Sequence, residues 1–214
     1  MGNDDSLERL EDPAELARCG GWREEIYRDL MAVQDGALTA AAFDQRYLRR
    51  EAVLVLDLTG FTEGTMTHGP LHAFLRILNA QKVCIPILRK HGALRVHAFA
   101  DDLVAIYDEP SAALDAALEI HGRTAAQGEE RATQEGWPDC CIGLGWGTVY
   151  AIGPNRAMGD EMNRASKLGE DTARGGETLV TEAVRARLAE RGDIEFAPQR
   201  IDDVGFPFFR VEPR

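Results

Sequence analysis

The chain has 214 residues, of which 44 % are hydrophobic and 28 % charged, and a formal net charge of −12. That length holds one sizeable domain with a modest extension, and the composition is that of an ordinary globular protein. The charge excludes any general electrostatic attraction to a nucleic-acid backbone or an anionic membrane, so neither is expected as a partner. A polyphosphate ligand would need metal ions or a small basic pocket.

No run approaches the apolar length that spans a bilayer, and no signal peptide opens the chain, so a cytoplasmic location is expected. Cys19, Cys84, Cys140 and Cys141 lack the paired spacing of metal ligands and read as reduced thiols.

Residues 1–48 carry clustered Asp and Glu, a Cys-Gly-Gly break at 19–21, a helix from Trp22 to Val33 and a short helix from Leu38 to Tyr47. They are too short for their own core, and we read them as an appended acidic helical extension, with the main domain spanning 49–214. Ala52 to Leu56 is a continuous apolar run closed by Asp57-Leu58-Thr59-Gly60, the pattern of a buried strand. A long helix follows Pro70, and strands over Ala93–Phe99 and Leu103–Tyr107 form a hairpin around Ala100-Asp101-Asp102.

Pro110 to Ala126 reads as a helix, Cys140–Trp146 as a strand, and Val149–Ile152 as its continuation beyond Gly147. Next come a helix over Met162–Thr172, a strand at Thr178–Val180, a helix over Glu182–Arg191 and strands at Ile194–Phe196 and Phe208–Val211. Strand pairs separated by helices predict an α+β fold with a mostly antiparallel sheet, helices on one face and a ferredoxin-like βαββαβ core.

Asp57 ends the first strand and Asp101 lies in the hairpin, and a ferredoxin-like sheet makes these elements neighbours. Two carboxylates at strand ends suit a hard divalent cation completed by substrate phosphates. A strand-end cap and a turn aspartate are the plainer alternative. Asp102, one position on, is expected to face away from Asp101. Gly143-x-Gly-x-Gly is followed by a strand, which rules out a dinucleotide-binding turn. His68 and His72 have the spacing of a helical zinc site, but Gly69-Pro70 between them argues against one continuous helix.

Four stretches together resemble the catalytic domain of class III nucleotidyl cyclases. Leu56-Asp57-Leu58-Thr59-Gly60-Phe61 is similar to the first metal motif, and Arg95 to Tyr107, with Asp101 at the hairpin, to the second. Gly143-Leu144-Gly145-Trp146-Gly147 resembles the glycine-spaced strand, and Gly159 to Leu168 the helix bearing the catalytic asparagine.

The resemblance implies conversion of a nucleoside triphosphate to a 3′,5′-cyclic nucleotide and pyrophosphate by a homodimer. Two divalent ions, Mg2+ or Mn2+, would be held by Asp57, Leu58 and Asp101. Thr59, Gly60, Phe61 and Thr62 would contact phosphates, and Asn163 and Lys167 would be catalytic. The last of these stands where arginine is usual, losing the planar fork. Ala100 replaces the hairpin glycine, and the usual phosphate lysine before the last strand is missing, leaving Arg200 or Arg210 as substitutes.

By the same resemblance His97 and Arg156 occupy the base-reading positions. Arginine only donates, so Arg156 does not accept from an adenine amine. ATP is therefore not expected to be strongly preferred, and UTP is a candidate beside it. These departures leave a weak or inactive nucleotide-binding module as the alternative.

Overall fold

A computed structural model describes residues 9–59, 61–130, 139–153 and 157–214, with the backbone alone at 61–64 and 126–130. Three short helices come first, α1 (Pro13–Gly20), α2 (Glu24–Gln34) and α3 (Ala40–Tyr47). The first of them is absent from the sequence reading. Its signals are local: the Asp12 carboxylate accepts from the Ala14 N–H at 2.9 Å, Pro13 opens the first turn and Gly21 closes the helix at φ 76°.

The remaining elements are β1 (Leu48–Leu58), α4 (Phe61–His68), α5 (Pro70–Lys90), β2 (Arg95–Phe99), β3 (Asp102–Tyr107), α6 (Pro110–Glu130) and β4 (Cys140–Tyr150). They are followed by α7 (Asp160–Gly169), β5 (Thr178–Thr181), α8 (Glu182–Arg187), β6 (Ile194–Gln199) and β7 (Phe208–Pro213). Gly69, at φ 84°, separates α4 from α5, so His68 and His72 do not share one continuous helix.

The seven strands form one sheet in the order β2-β3-β1-β4-β5-β7-β6. Its first four members have the ferredoxin-like order and are antiparallel throughout, and the one parallel pair is β4 with β5. β4 runs unbroken through Gly147, as the sequence reading continues it, but ends at Tyr150 and not at Ile152. Its ladder with β1 extends from Leu48 opposite Tyr150 to Leu58 opposite Cys140, and that continuous pairing carries the glycine.

Alternation along the strands sorts residues between two faces. Leu54, Leu56, Leu103, Ile142, Leu144 and Trp146 face the main core, packed by α5, α6 and α8. Trp146 is thus a core residue, 7 % exposed. Val53 and Val55 face the other way, against Ala165 of α7. Helices therefore cover both faces, where the sequence reading expects one. Neighbouring Cys140 and Cys141 divide in the same manner, the former in the main core and the latter beside Thr59, and none of the four cysteines forms a disulfide.

The reading of the chain's apolar runs also needs correction. Helix α5 is 21 residues long and holds an 18-residue window with a mean hydropathy of 1.2, enough by length and composition alone to cross a bilayer. Its Ala80, Cys84, Ile87 and Leu88 instead pack on the sheet. Leu71, Phe74, Leu75 and Leu78 form an exposed stripe on its first half. The N-terminal helices pack against the far end of β4, where Ile26, Phe43, Tyr47 and Ile152 make a small core.

Candidate active site

The buried run of β1 ends at Asp57, and the β2–β3 hairpin places Asp101 and Asp102 next to it. One carboxylate oxygen from each of the three lies within 4.8 Å of the others. The expectation that Asp102 turns away from Asp101 fails because Asp101 sits in the turn, where strand alternation has not begun. Ala100 adopts φ 51°, the left-handed conformation that favours glycine, at a cost of about 1–2 kcal/mol. The chain thus keeps the turn of a glycine hairpin without the glycine.

Half-burial is the main cause that pushes the Asp57 carboxyl up to about 6. The Leu58 N–H that it accepts works against the shift, and repulsion from Asp101, Asp102 and Glu170 adds to it. Asp102 is likewise pushed up to about 6, by burial and then by Glu170 and Asp101. Among the described residues these converging, partly desolvated carboxylates have no ion-pair partner, and they are hard oxygen donors. The residues present fit a magnesium or manganese ion.

The turn after β1 is tied down from two sides. Thr59 donates its N–H to the Asp139 carbonyl at 2.9 Å and its hydroxyl to the same oxygen at 2.7 Å. Arg76 of α5 donates to the Thr59 carbonyl at 2.8 Å. The N–H of Thr59 is thus engaged within the chain. Phe61 and Thr62 open α4. Gly60 lies outside the described residues, as does Arg156.

A groove of about 380 Å3 runs over the open part of the sheet's second face. It is lined by Asp102, His97, Val104 and Phe99 from the hairpin, by Met162 and Glu170 from α7 and its end, and by Trp22, Ile152, Ala157 and Met158. His97 therefore shares a cleft with the acidic cluster. Sequence reasoning missed Glu170 and Trp22, because no local pattern connects positions so far apart.

Helix α7 lies closely on β4 because the strand carries glycine at every second position. A Cβ at Gly143 would meet the Ala165 carbonyl oxygen at 2.1 Å, and one at Gly145 the Glu161 carbonyl oxygen at 2.6 Å. Glu161, 8 % exposed, accepts from the Trp146 N–H at 3.0 Å, the Thr181 hydroxyl at 3.1 Å and Arg164 at 2.9 Å. It thereby supplies a partner to β4 beyond the end of its β5 ladder.

Asn163 is exposed on α7, and Lys167, one turn on, donates to Asp171 at 3.1 Å. Neither lines the groove that Met162 and Glu170 enter. The structure brings Asp57, Asp101 and Asp102 together, sets His97 beside them, and leaves Asn163 and Lys167 outside that cleft. Arg210, considered above as a substitute for the phosphate lysine, pairs with Glu212 and Glu177.

The chain matches no protein-family model and no curated protein. Its structure is similar to cyclase catalytic domains. The adenylyl cyclase CyaB from P. aeruginosa aligns with a TM-score of 0.66 at 16 % identity over 78 % of this chain and 95 % of that one. An adenylate/guanylate cyclase/hydrolase from Silicibacter pomeroyi gives 0.64 and 21 % over 77 % and 95 %. The guanylate cyclase domain of RhGC from Catenaria anguillulae in complex with GTP gives 0.61 and 19 % over 77 % and 97 %. The α+β fold is that of cyclase catalytic domains.

Proposed function

We propose that this chain is a divergent class III nucleotidyl cyclase, converting a nucleoside triphosphate to a 3′,5′-cyclic nucleotide and pyrophosphate. The observation that carries the reading is the convergence of Asp57, Asp101 and Asp102 on a fold shared with solved cyclase domains. Residues 49–214 would form the catalytic domain and 1–48 the extension.

Asp57 and Asp101, with the Leu58 backbone, would hold two Mg2+ or Mn2+ ions, and Asp102 has the position to assist. When bound, such ions polarise phosphate oxygens and neutralise charge on the leaving group. The protein's part is positioning and charge placement. Backbone groups of Gly60, Phe61 and Thr62 would meet the phosphates. In the homodimer reading, Asn163 of the second subunit orients the ribose and its Lys167 stabilises charge in the transition state. Support for a shared site comes from Asn163 and Lys167 lying outside the groove that Asp102 and His97 line. An exposed apolar stripe on α5 is further surface for a second copy to cover.

His97, lining the groove, and Arg156 would face the base. An arginine that only donates suits a carbonyl edge such as uracil O4 or guanine O6, and this argues against strong selection for adenine. Incubating the purified chain and an Arg156→Asp variant with ATP, GTP, CTP and UTP and manganese, with chromatography of the products, tests both claims. Formation of a cyclic nucleotide is expected, without strong preference for ATP. Absence of any cyclic product would sink the cyclase reading. A strong ATP preference unchanged in Arg156→Asp would sink the base assignment. The engagement of Lys167 by Asp171 and of Arg210 by glutamates favours a second reading, a slow or inactive nucleotide-binding module. Nucleotide binding without turnover in the same assay would select it.

A further inference from the structure

The groove beside the acidic cluster has one wall that comes from outside the sheet and α7. Trp22 belongs to the N-terminal extension, yet it lines this cleft together with His97, Phe99, Asp102 and Met162. Its place is built. Arg23 donates its backbone N–H to the Ile152 carbonyl at 3.3 Å and its guanidinium to the Ala151 carbonyl at 3.1 Å, clamping the segment to the end of β4. Ile26, fully buried, anchors α2 against Ile152. Tyr27 stacks on the Trp22 ring, with centroids 5.2 Å apart and planes inclined by 21°.

The cleft is chemically divided. Carboxylates stand at the Asp102 end, and Trp22, Phe99, Val104, Met158 and Met162 supply apolar surface. Its volume of about 380 Å3 lies within the range of roughly 300–1,000 Å3 for small-ligand sites. A molecule with a metal-chelating polyphosphate at one end and a flat heterocycle at the other matches that division, because every nucleobase offers a π face to an aromatic side chain.

We infer that Trp22 is a base-contacting residue, so that the N-terminal extension completes the nucleotide site of its own chain. This rests on the nucleotide-site reading above and deepens it. Stacking tolerates any base, which leaves discrimination to polar groups such as His97. The extension then becomes a handle on the site, since whatever displaces residues 20–30 removes a wall of the cleft.

The experiment is titration calorimetry with manganese and two probes on the full chain, Trp22→Leu and Trp22→Phe. One probe is a set of 3′-deoxynucleoside triphosphates, which lack the attacking hydroxyl and do not turn over. The other is inorganic tripolyphosphate, which has no base. Trp22→Leu is expected to bind the nucleotides about tenfold more weakly, as loss of one stacking partner implies, with tripolyphosphate affinity unchanged. Trp22→Phe, which keeps a π face, is expected within about threefold of the parent. Equal nucleotide affinity in the parent and Trp22→Leu overturns the assignment and leaves the nucleotide site standing. Equal loss of nucleotide and tripolyphosphate also overturns it, because the damage is then not to a base contact. Failure of the parent chain to bind any of the four nucleotides overturns both readings.

Discussion

Among single residues, the three aspartates have the sharpest consequence, because their carboxylates converge and no ion pair among the described residues offsets them. Asp57 and Asp102 are each raised to about 6, chiefly by burial and then by neighbouring carboxylates. A carboxyl whose folded pKa exceeds its unfolded value stabilises the fold most below the unfolded pKa, near 4, and loses that contribution as pH rises through the folded value. Without metal, these two groups therefore make the protein less stable at pH 7.5 than at pH 5. Under the proposed function a divalent ion would bind the ionised forms and reverse that loss. Manganese is thus expected to raise the melting temperature clearly at pH 7.5 and little at pH 5, with its affinity falling as pH drops below about 6. Asp57→Asn and Asp101→Asn should each lose most of the manganese effect at pH 7.5. A manganese effect equal at both pH values, or retained in both variants, would show that the cluster is not the metal site.

For the elements, the glycines of β4 explain how a helix comes close enough to the sheet to organise a site. At Gly145 a methyl group would meet the Glu161 carbonyl oxygen at 2.6 Å, and at Gly143 the Gly169 backbone nitrogen at 2.5 Å. Backbone atoms in a packed helix cannot move aside as a flexible side chain does, so such overpacking costs typically ~1–3 kcal/mol. Gly145→Ala is expected to lower unfolding free energy by that amount in urea titrations. Gly122→Ala is its control: nothing lies within 4 Å of that position in α6. Alanine there should stabilise by roughly 0.5–1 kcal/mol through helix propensity. A neutral Gly145→Ala would mean that α7 is not seated on β4 as described.

The glycine spacing, the apolar run of β1 and the hairpin turn are legible in the sequence because each is a local pattern. Helix α4, with Thr65 and Thr67 before the Gly69 break, has no apolar period to reveal it. The first residues of β1 carry exposed Arg49 and Arg50 and are strand only because β4 pairs with them. Asp102, Glu170 and Trp22 could not be assigned to the cleft beforehand, since their positions depend on the turn, on how α7 ends and on where the extension docks.

At the scale of the whole molecule, the arrangement is incomplete in a particular way. One chain gathers the three aspartates, of which Asp102 shares a groove with His97 and Trp22, and carries Asn163 and Lys167 at α7 positions that do not line it. It also leaves Leu71, Phe74, Leu75 and Leu78 exposed along one side of α5, although apolar stripes of this kind are normally covered. Under the proposed function both features have one resolution, a two-fold homodimer in which each cleft receives α7 groups from the other subunit. The consequence is a complementation that no single-chain site allows. Asp57→Ala and Asn163→Ala should each abolish turnover alone, since every site in either homodimer lacks one half. Mixing the two lets heterodimers form with one cleft that has both mutations and one that has neither. With random exchange half the dimers are mixed, and each holds one of its two sites intact, so about a quarter of parental activity is expected. Sedimentation of the same mixture checks that dimers are present. A mixture as inactive as its components, with dimers demonstrated, would place the whole site within one chain.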